Sequence, residues 1–313
     1  MEFFTRRMTA VGVALVLVGG SIVISLPPDF VPGTVSIEKG SSASAIAEKL
    51  ARADVIAYAT PLRIILRVAG YDGAVHAGTY RFNTPESLFR IIRRLLAADY
   101  GLPLTRITFE EGTTVRETAK QVAAALPGIS AEEFLTVAKQ YEGYLFPDTY
   151  FFSPSADAAA IVAVMRANFD MNTALISEEI TASHRPLSDI VIMASLIEKE
   201  ARTEESKRMV AGILWNRLER GMPLQVDAVF GYIFERDTYS PSLTDLRVNS
   251  PYNTYTHKGL PPGPIANPGI ESINAALHPA ETNYLYYLTG SDTLMHYATT
   301  FAGHQANRNK YLK

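Results

Sequence analysis

Hydrophobic positions along the chain fall into three regimes. From residue 9 to residue 26, eighteen consecutive positions carry no charge and are mostly Val, Leu, Ile, Gly and Ala. At 1.5 Å per residue such a run spans roughly 27 Å, close to the hydrocarbon core of a bilayer. Arg6 and Arg7 precede it; Pro27, Pro28 and Asp29 end it. The pattern predicts a short cytoplasmic tail over 1–8, a transmembrane anchor over 9–28 and an exported remainder. A cleaved signal peptide is the rival. Its apolar stretch is usually about 7–15 residues and ends in a small-x-small site. Here the run is longer and leaves through Ile24-Ser25-Leu26-Pro27.

The second regime mixes period-two and helical patterns. Val35-Ser36-Ile37-Glu38-Lys39-Gly40-Ser41-Ser42 leads into Ile46-Ala47-Glu48-Lys49-Leu50. The same order recurs 72 residues later, where Ile107-Thr108-Phe109-Glu110-Glu111-Gly112-Thr113-Thr114 leads into Thr118-Ala119-Lys120-Gln121-Val122. Each copy reads as a short alternating strand, a Gly turn, a Ser/Thr helix start and an amphipathic helix. Between them, residues 76–82 read as a strand and 87–98 as a helix. This strand–Gly–helix order resembles LysM modules, which bind N-acetylglucosamine-containing glycans; the plainer alternative is a small α+β spacer. Further helices are predicted over 131–140, 157–182, 189–202 and 206–220, the last ending at Gly221.

The third regime, 222–270, is rich in Pro, Gly, Asn, Tyr and Thr and reads as structured loops with short strands. Loops on a rigid scaffold are where sites usually sit.

Composition narrows the chemistry. The 313 residues include no cysteine, which removes disulfides, thiolate metal sites and a cysteine nucleophile. With +1 on residues 1–28 (Arg6, Arg7 and Glu2), the rest of the chain carries −4, so nothing attracts nucleic acid. Phosphate-loop, dinucleotide-binding, His-Glu-x-x-His and Gly-x-Ser-x-Gly motifs are absent. The six histidines (76, 184, 257, 278, 296 and 304) include no pair at helical i,i+3 or i,i+4 spacing, so no metal site and no cofactor are indicated.

The sharpest candidate lies in Met193-Ala194-Ser195-Leu196-Ile197-Glu198-Lys199-Glu200-Ala201-Arg202. Two residues apart on a helix, Glu198 and Glu200 point about 200° apart and cannot share a site. Glu198 has Arg202 at i+4, the spacing of a surface ion pair. Glu200 has Met193, Leu196 and Ile197 behind it and Glu204 at i+4. An apolar face and a like charge both raise a carboxyl pKa, as a general acid near neutral pH requires. Three further clusters suit a sugar, with rings for its apolar face and amides, hydroxyls or carboxyls for its polar groups. They are Tyr141–152, Met222-Pro223-Leu224-Gln225-Val226-Asp227, and Pro251-Tyr252-Asn253-Thr254-Tyr255-Thr256 with the Pro/Gly loop that follows. The competing reading of each is core aromatics and a rigid turn.

Together the clusters resemble the endolytic murein transglycosylases, the YceG-like (MltG) family. The matching segments are EGYLFPDTY at 142–150, ASLIEKEA at 194–201, NRL at 216–218, MPLQVD at 222–227, YNTY at 252–255 and GLPPGPIANPG at 259–269. The pattern continues through Ala275-Ala276-Leu277-His278-Pro279 and Tyr284-Leu285-Tyr286-Tyr287-Leu288. The resemblance implies an α+β chain with a single N-terminal transmembrane helix, a LysM-like region over 29–138 and a mixed α+β catalytic domain over 139–313. It implies a single-pass inner-membrane enzyme with a periplasmic catalytic domain. That enzyme would cleave the bond between N-acetylmuramic acid and N-acetylglucosamine within glycan strands and leave 1,6-anhydro-muramoyl ends. It also implies work beside peptidoglycan synthases, terminating nascent strands. The family's catalytic glutamate aligns with Glu200, with Glu198 the runner-up. Asp148, Asn216, Gln225, Asp227, Asn253 and Tyr255 are candidate substrate contacts by residue type and motif membership.

One departure is visible. The family usually follows its Leu-Gln-x-Asp segment with Pro-Thr-Val, whereas Asp227 is followed by Ala228-Val229-Phe230. His296 and His304 lie where the family often has C-terminal histidines. Two other readings stay open: a membrane-tethered glycan-binding scaffold without catalysis, and a hydrolase with a second carboxylate, Asp227 or Asp148, near Glu200.

Overall fold

The computed structural model describes residues 27, 29–71, 73–236 and 241–312. The proposed anchor over 9–28 lies almost wholly outside them. Among the described residues no helix is long and apolar enough to cross a membrane.

The described residues form two compact units, the first running to Leu104 and including Ser153–Ser155, the second made of Thr105–Phe152 and the chain from Ala156 onward. The first contains strand β1 (Gly33–Ile37), helices α1 (Ala43–Arg52) and α2 (Ala59–Val68), strand β2 (Gly78–Phe82) and helix α3 (Leu88–Leu96). β1 and β2 pair antiparallel with Val35 opposite Tyr80. Their inward residues Val35, Ile37, Tyr80 and Phe82 close a core with Ile46, Leu50, Leu62, Leu66, Ile91 and Leu95. Ser42 and Ser87 start α1 and α3 by accepting backbone N–H bonds, as N-cap serines do.

The second unit opens with the same course: β3 (Thr105–Thr108), α4 (Val115–Ala125), α5 (Ala131–Ala138), a 3-10 turn (Lys139–Tyr141) and β4 (Thr149–Phe152). β3 and β4 pair antiparallel with Ile107 opposite Tyr150. Thr114 and Glu117 form a reciprocal capping box at the start of α4. The strand–Gly–helix pattern in the sequence thus corresponds to two strand–helix–helix–strand modules. Because β3 pairs with β4, the second module runs across position 138/139.

A helical layer follows: α6 (Ala158–Ala174), α7 (Ser177–Ala182), α8 (Leu187–Glu200), α9 (Glu204–Glu219), α10 (Ala228–Phe234) and α11 (Ile270–Leu277). The single helix expected over 157–182 is two, interrupted at Ile176, whose φ of −114° and ψ of 20° are not helical. Strands β5 (Tyr286–Thr289) and β6 (Met295–Ala298) form a third antiparallel pair, against which α12 (Phe301–Tyr311) lies. α8 is the central element, touching α9, α10 and α11. All eight of its residues 190–197 are buried, so it reads apolar on every side, as an enclosed helix must.

The short strands expected within 222–270 do not form among the described residues. Val226 does bond Thr254, through Thr254 Oγ1, but Gln225 sits at φ +51° and prevents a regular ladder. What forms instead is α10. Its sequence, Ala-Val-Phe-Gly-Tyr-Ile-Phe, is apolar throughout and gives no helical periodicity to read.

Candidate active site

α8 ends at Glu200, where Ala201 turns extended (φ −134°, ψ 146°), and Glu204 begins a new helix. The i+4 relations expected of this segment therefore do not exist. Glu198 does not pair with Arg202 on the surface. It makes an ion pair of 2.9 Å with Lys207, with side chains only 7% and 4% exposed, and accepts the Gly269 N–H at 2.9 Å. Glu198 is a structural tie between α8, α9 and the start of α11.

Glu200 sits differently. Its Oε1 accepts the Ala228 backbone N–H at 3.3 Å and its Oε2 accepts the Tyr287 hydroxyl at 3.1 Å. Burial pushes its carboxyl up to about 7; the two hydrogen bonds oppose this and the neighbouring Asp227 charge adds to it. The direction is the one the sequence predicted, but the like charge is Asp227 rather than Glu204. Burial and the same carboxylate push the Tyr287 hydroxyl well above its ordinary value, so it remains a donor. Asp227 Oδ1 in turn accepts the Tyr255 hydroxyl at 2.5 Å. A carboxyl near 7, held by two donors, can give a proton and take one back at neutral pH.

This carboxyl opens into a cleft of about 470 Å³. Val115, Arg116 and Lys120 of α4, Glu142, and Tyr232 of α10 line it together with Glu200. Every lining residue belongs to the second unit.

A model of the YceG-like family matches residues 35–310. The chain belongs to the YceG-like family. It is 32% identical to the endolytic murein transglycosylase of Bacillus subtilis (strain 168), over 89% of this chain and 84% of that protein. It is 26% identical to the endolytic murein transglycosylase of Streptococcus pneumoniae R6, over 88% of this chain and 57% of that longer protein. A crystal structure of a yceG-like protein from Listeria monocytogenes superposes with a TM-score of 0.60 at 28% identity, covering 89% of this chain and 99% of that one.

Within this YceG-like fold the motif residues divide between cleft and scaffold. Of the predicted contacts, Asp227 lines the cleft, and Tyr255 reaches it through Asp227. Gln225 is exposed beside them, its Oε1 accepting from Arg217 at 3.4 Å. Three others hold backbone instead. Asn253 is fully buried and donates to Leu246 O and Val248 O. Asn216 donates to Thr282 O at 2.7 Å. Asp148 accepts from its neighbour Thr149 N and from Asn168 of α6. Arg217 of the Asn-Arg-Leu segment is likewise buried, donating to Leu285 O and Leu224 O. Asn267 of the Pro/Gly loop bonds Thr113 O and the Leu145 N–H, tying that loop to the second module. His296 bonds Asp292 at 2.9 Å and stacks on Tyr311, while His304 stacks on Tyr286.

The departure at Ala228 has a structural counterpart. The Ala228 N–H bonds Glu200, and a proline there would have none. Asp227 sits at φ −71° and ψ −30°, which a following proline disfavours. This loop is therefore shaped for a residue with an N–H.

Sequence reasoning missed Tyr287 and Glu142. Tyr287 lies in the quoted Tyr-rich segment, and its place in β5 beside Glu200 depends on pairing that no local pattern announces. Glu142 opens the EGYLFPDTY segment, whose pattern is dominated by its aromatics.

Proposed function

We propose that this chain is a lytic transglycosylase of peptidoglycan that cleaves the bond between N-acetylmuramic acid and N-acetylglucosamine within glycan strands. The observation that carries the reading is Glu200, a carboxyl pushed up to about 7 at the edge of a cleft in a YceG-like fold. Protonated Glu200 gives its proton to the glycosidic oxygen as the bond to the muramoyl C1 breaks. The resulting carboxylate takes the proton of the sugar's own C6 hydroxyl, whose oxygen closes on C1. The product is a 1,6-anhydro end, no water is consumed, and Glu200 returns to its starting state. Intramolecular attack needs one acid–base group, whereas a hydrolase needs a second carboxylate to act as nucleophile or to activate water.

The wider reading follows the sequence. Residues 9–28 anchor the chain in the inner membrane, the catalytic unit lies in the periplasm, and cleavage terminates new strands beside the peptidoglycan synthases. The first module, by its strand–helix–helix–strand order, serves as a LysM-like glycan-holding part. Exposed Lys120, Lys139 and Lys199 around the cleft suit the carboxylates of the peptide stems on muramoyl residues.

Digestion of purified glycan strands tests the reading, with ends analysed by mass. The wild type is expected to leave anhydro ends, and Glu200→Gln to lose about 10²–10⁴-fold in rate, the usual worth of a positioned acid–base group. Reducing muramic acid ends would make the enzyme a hydrolase, with Asp227 the carboxylate to test next. Undiminished Glu200→Gln would reject the residue, and binding without turnover would leave a scaffold.

A further inference from the structure

Glu142 is the other acid of the cleft. It follows the 3-10 turn and precedes Gly143, which holds φ +83°. A Cβ on Gly143 would meet the Pro264 ring at 2.4 Å, so the backbone is pinned where Glu142 emerges. Its Oε1 accepts the N–H of Val115, the first residue of α4, at 3.0 Å. Its Oε2 makes no hydrogen bond to any described residue, and Glu142 lines the cleft beside Glu200.

Cations face it across the cleft, but none is paired with it among the described residues. Arg116 and Glu117 on α4, Lys199 on α8 and Tyr232 on α10 act on it electrostatically, and Lys120, Lys139, Glu200, Asp227, Glu235 and Arg236 line the same cleft. Arg116 pairs with Glu235, and Glu117 is committed to the Thr114 cap. Among the described residues no cation lies within ion-pairing distance of Glu142. Burial, opposed by the Val115 bond, pushes its carboxyl up to about 7. A neutral carboxyl has one O–H to donate. With Oε1 occupied as an acceptor, that donor is Oε2, on a side chain that lines the cleft. Among the neutral acceptors of a glycan, the amide carbonyl is the strongest.

We propose that Glu142 is a second group of this cleft that touches the glycan, its carboxylic acid donating a hydrogen bond to the carbonyl of an N-acetyl group. The identity of the ligand rests on the function proposed above; the presence of a donor at this place does not.

Two variants separate this role from simple helix capping. Glu142→Gln keeps an acceptor for Val115 and an N–H donor for the cleft, but cannot ionise. Glu142→Ala keeps neither. Raising the pH deprotonates Glu200 in both wild type and Glu142→Gln, whereas the donor at 142 is lost only in the wild type. The ratio of kcat/KM for Glu142→Gln over wild type is therefore expected to rise roughly tenfold between pH 6 and pH 8.5, the worth of one hydrogen bond. Glu142→Ala is expected to lose about tenfold at pH 6, mainly through KM. A ratio that stays constant with pH overturns the proposal and leaves Glu142 a helix cap. Should the variants fail to fold, isotope-edited titration of Glu142 in the full chain carrying Glu200→Gln decides. Saturation with glycan strands is expected to raise its midpoint, and an unmoved midpoint overturns the proposal. A wild type that leaves no anhydro ends defeats the transglycosylase reading alone, since the titration still reports on Glu142.

Discussion

Residues 33–82 and 105–152 follow the same strand–helix–helix–strand course, yet only the second lines the cleft. The likeness reaches single atoms. The Tyr80 hydroxyl donates to His76 O at 2.7 Å, and the Tyr150 hydroxyl to Phe146 O at 2.7 Å. Both tyrosines sit in a Thr-Tyr-x-Phe strand, preceded by Tyr71-Asp72-Gly73 in one copy and Tyr141-Glu142-Gly143 in the other. The difference lies in what surrounds the shared glycines. Gly40 (φ +80°) and Gly73 have nothing within 4 Å of a built Cβ among the described residues. Gly112 (φ +78°) has Glu198 Cγ at 3.3 Å, and Gly143 has Pro264 at 2.4 Å. The same local fold is a free-standing turn in one copy and a close-fitted turn beside the cleft in the other. Local sequence specifies the module; only the surfaces packed on it decide its use.

Cutting the chain between the copies separates their contributions most severely. A chain shortened to 105–313 retains β3, α4 and every residue lining the cleft. It is expected to cleave glycan strands within about threefold of the whole chain if the first module only holds substrate. Shortening to 139–313 removes residues 105–138, which supply Ile107, Phe109, Val115, Ala119 and Val122 to the core shared with α6. That chain is expected to be unfolded and inactive, because lost core residues cost about 2–5 kcal/mol each and a domain has about 5–15 in all. Circular dichroism and strand digestion on both chains read the outcome; an active 139–313 chain would show the second module to be dispensable.

Matched glycines come next. Gly143→Ala must bear a left-handed φ and a proline ring in its path, and is expected to cost about 3 kcal/mol or more. Gly73→Ala, with no such φ and no neighbour to meet, is expected to fall within about 0.5 kcal/mol of wild type. Denaturant melts measure both. Equal costs would mean that the second copy is no more constrained than the first.

Much of this organisation was legible in the sequence because it rests on local physics. The Gly turns and the Ser42 and Thr114 helix starts lie in the chain's own order, as does the enclosed apolar run of α8. The raised carboxyl of Glu200 was legible for the same reason, since its apolar neighbours lie within two turns. What stayed hidden depends on contacts far apart in the chain. Tyr287 reaches Glu200 across 87 positions, and Lys207 takes Glu198 from the next helix. Asn216 and Asn253 have the residue type of sugar contacts, but their amides are spent on backbone carbonyls brought close by folding. Residue type shows what a side chain can do, and tertiary packing determines whether it remains free to do it.

Proton linkage also tells the two copies apart, because each carries a glutamate whose pKa is shifted in the opposite direction. Glu142 in the second copy is raised to about 7 by burial. Glu38 in the first is lowered by its hydrogen bond and ion pair with Lys49. Between pH 4.5 and 7 the folded chain holds a proton at Glu142 that the unfolded chain has released, so stability falls as pH rises through that window. Below it both states are protonated, and above it both are ionised. Glu142→Gln removes this loss while Glu200 contributes equally to variant and wild type. The variant is therefore expected to gain stability over wild type by about 2 kcal/mol on going from pH 4 to pH 8, discounting the full shift for partial exposure. For Glu38 the native bond favours the ionised form, so Glu38→Gln is expected to lose stability at neutral pH and to match wild type in acid, with a smaller change screened by salt. Melts of both variants across this range read the two slopes. Slopes of the same sign would mean that Glu142 is as well solvated as a surface acid, and that the second copy does not enclose it against the cleft.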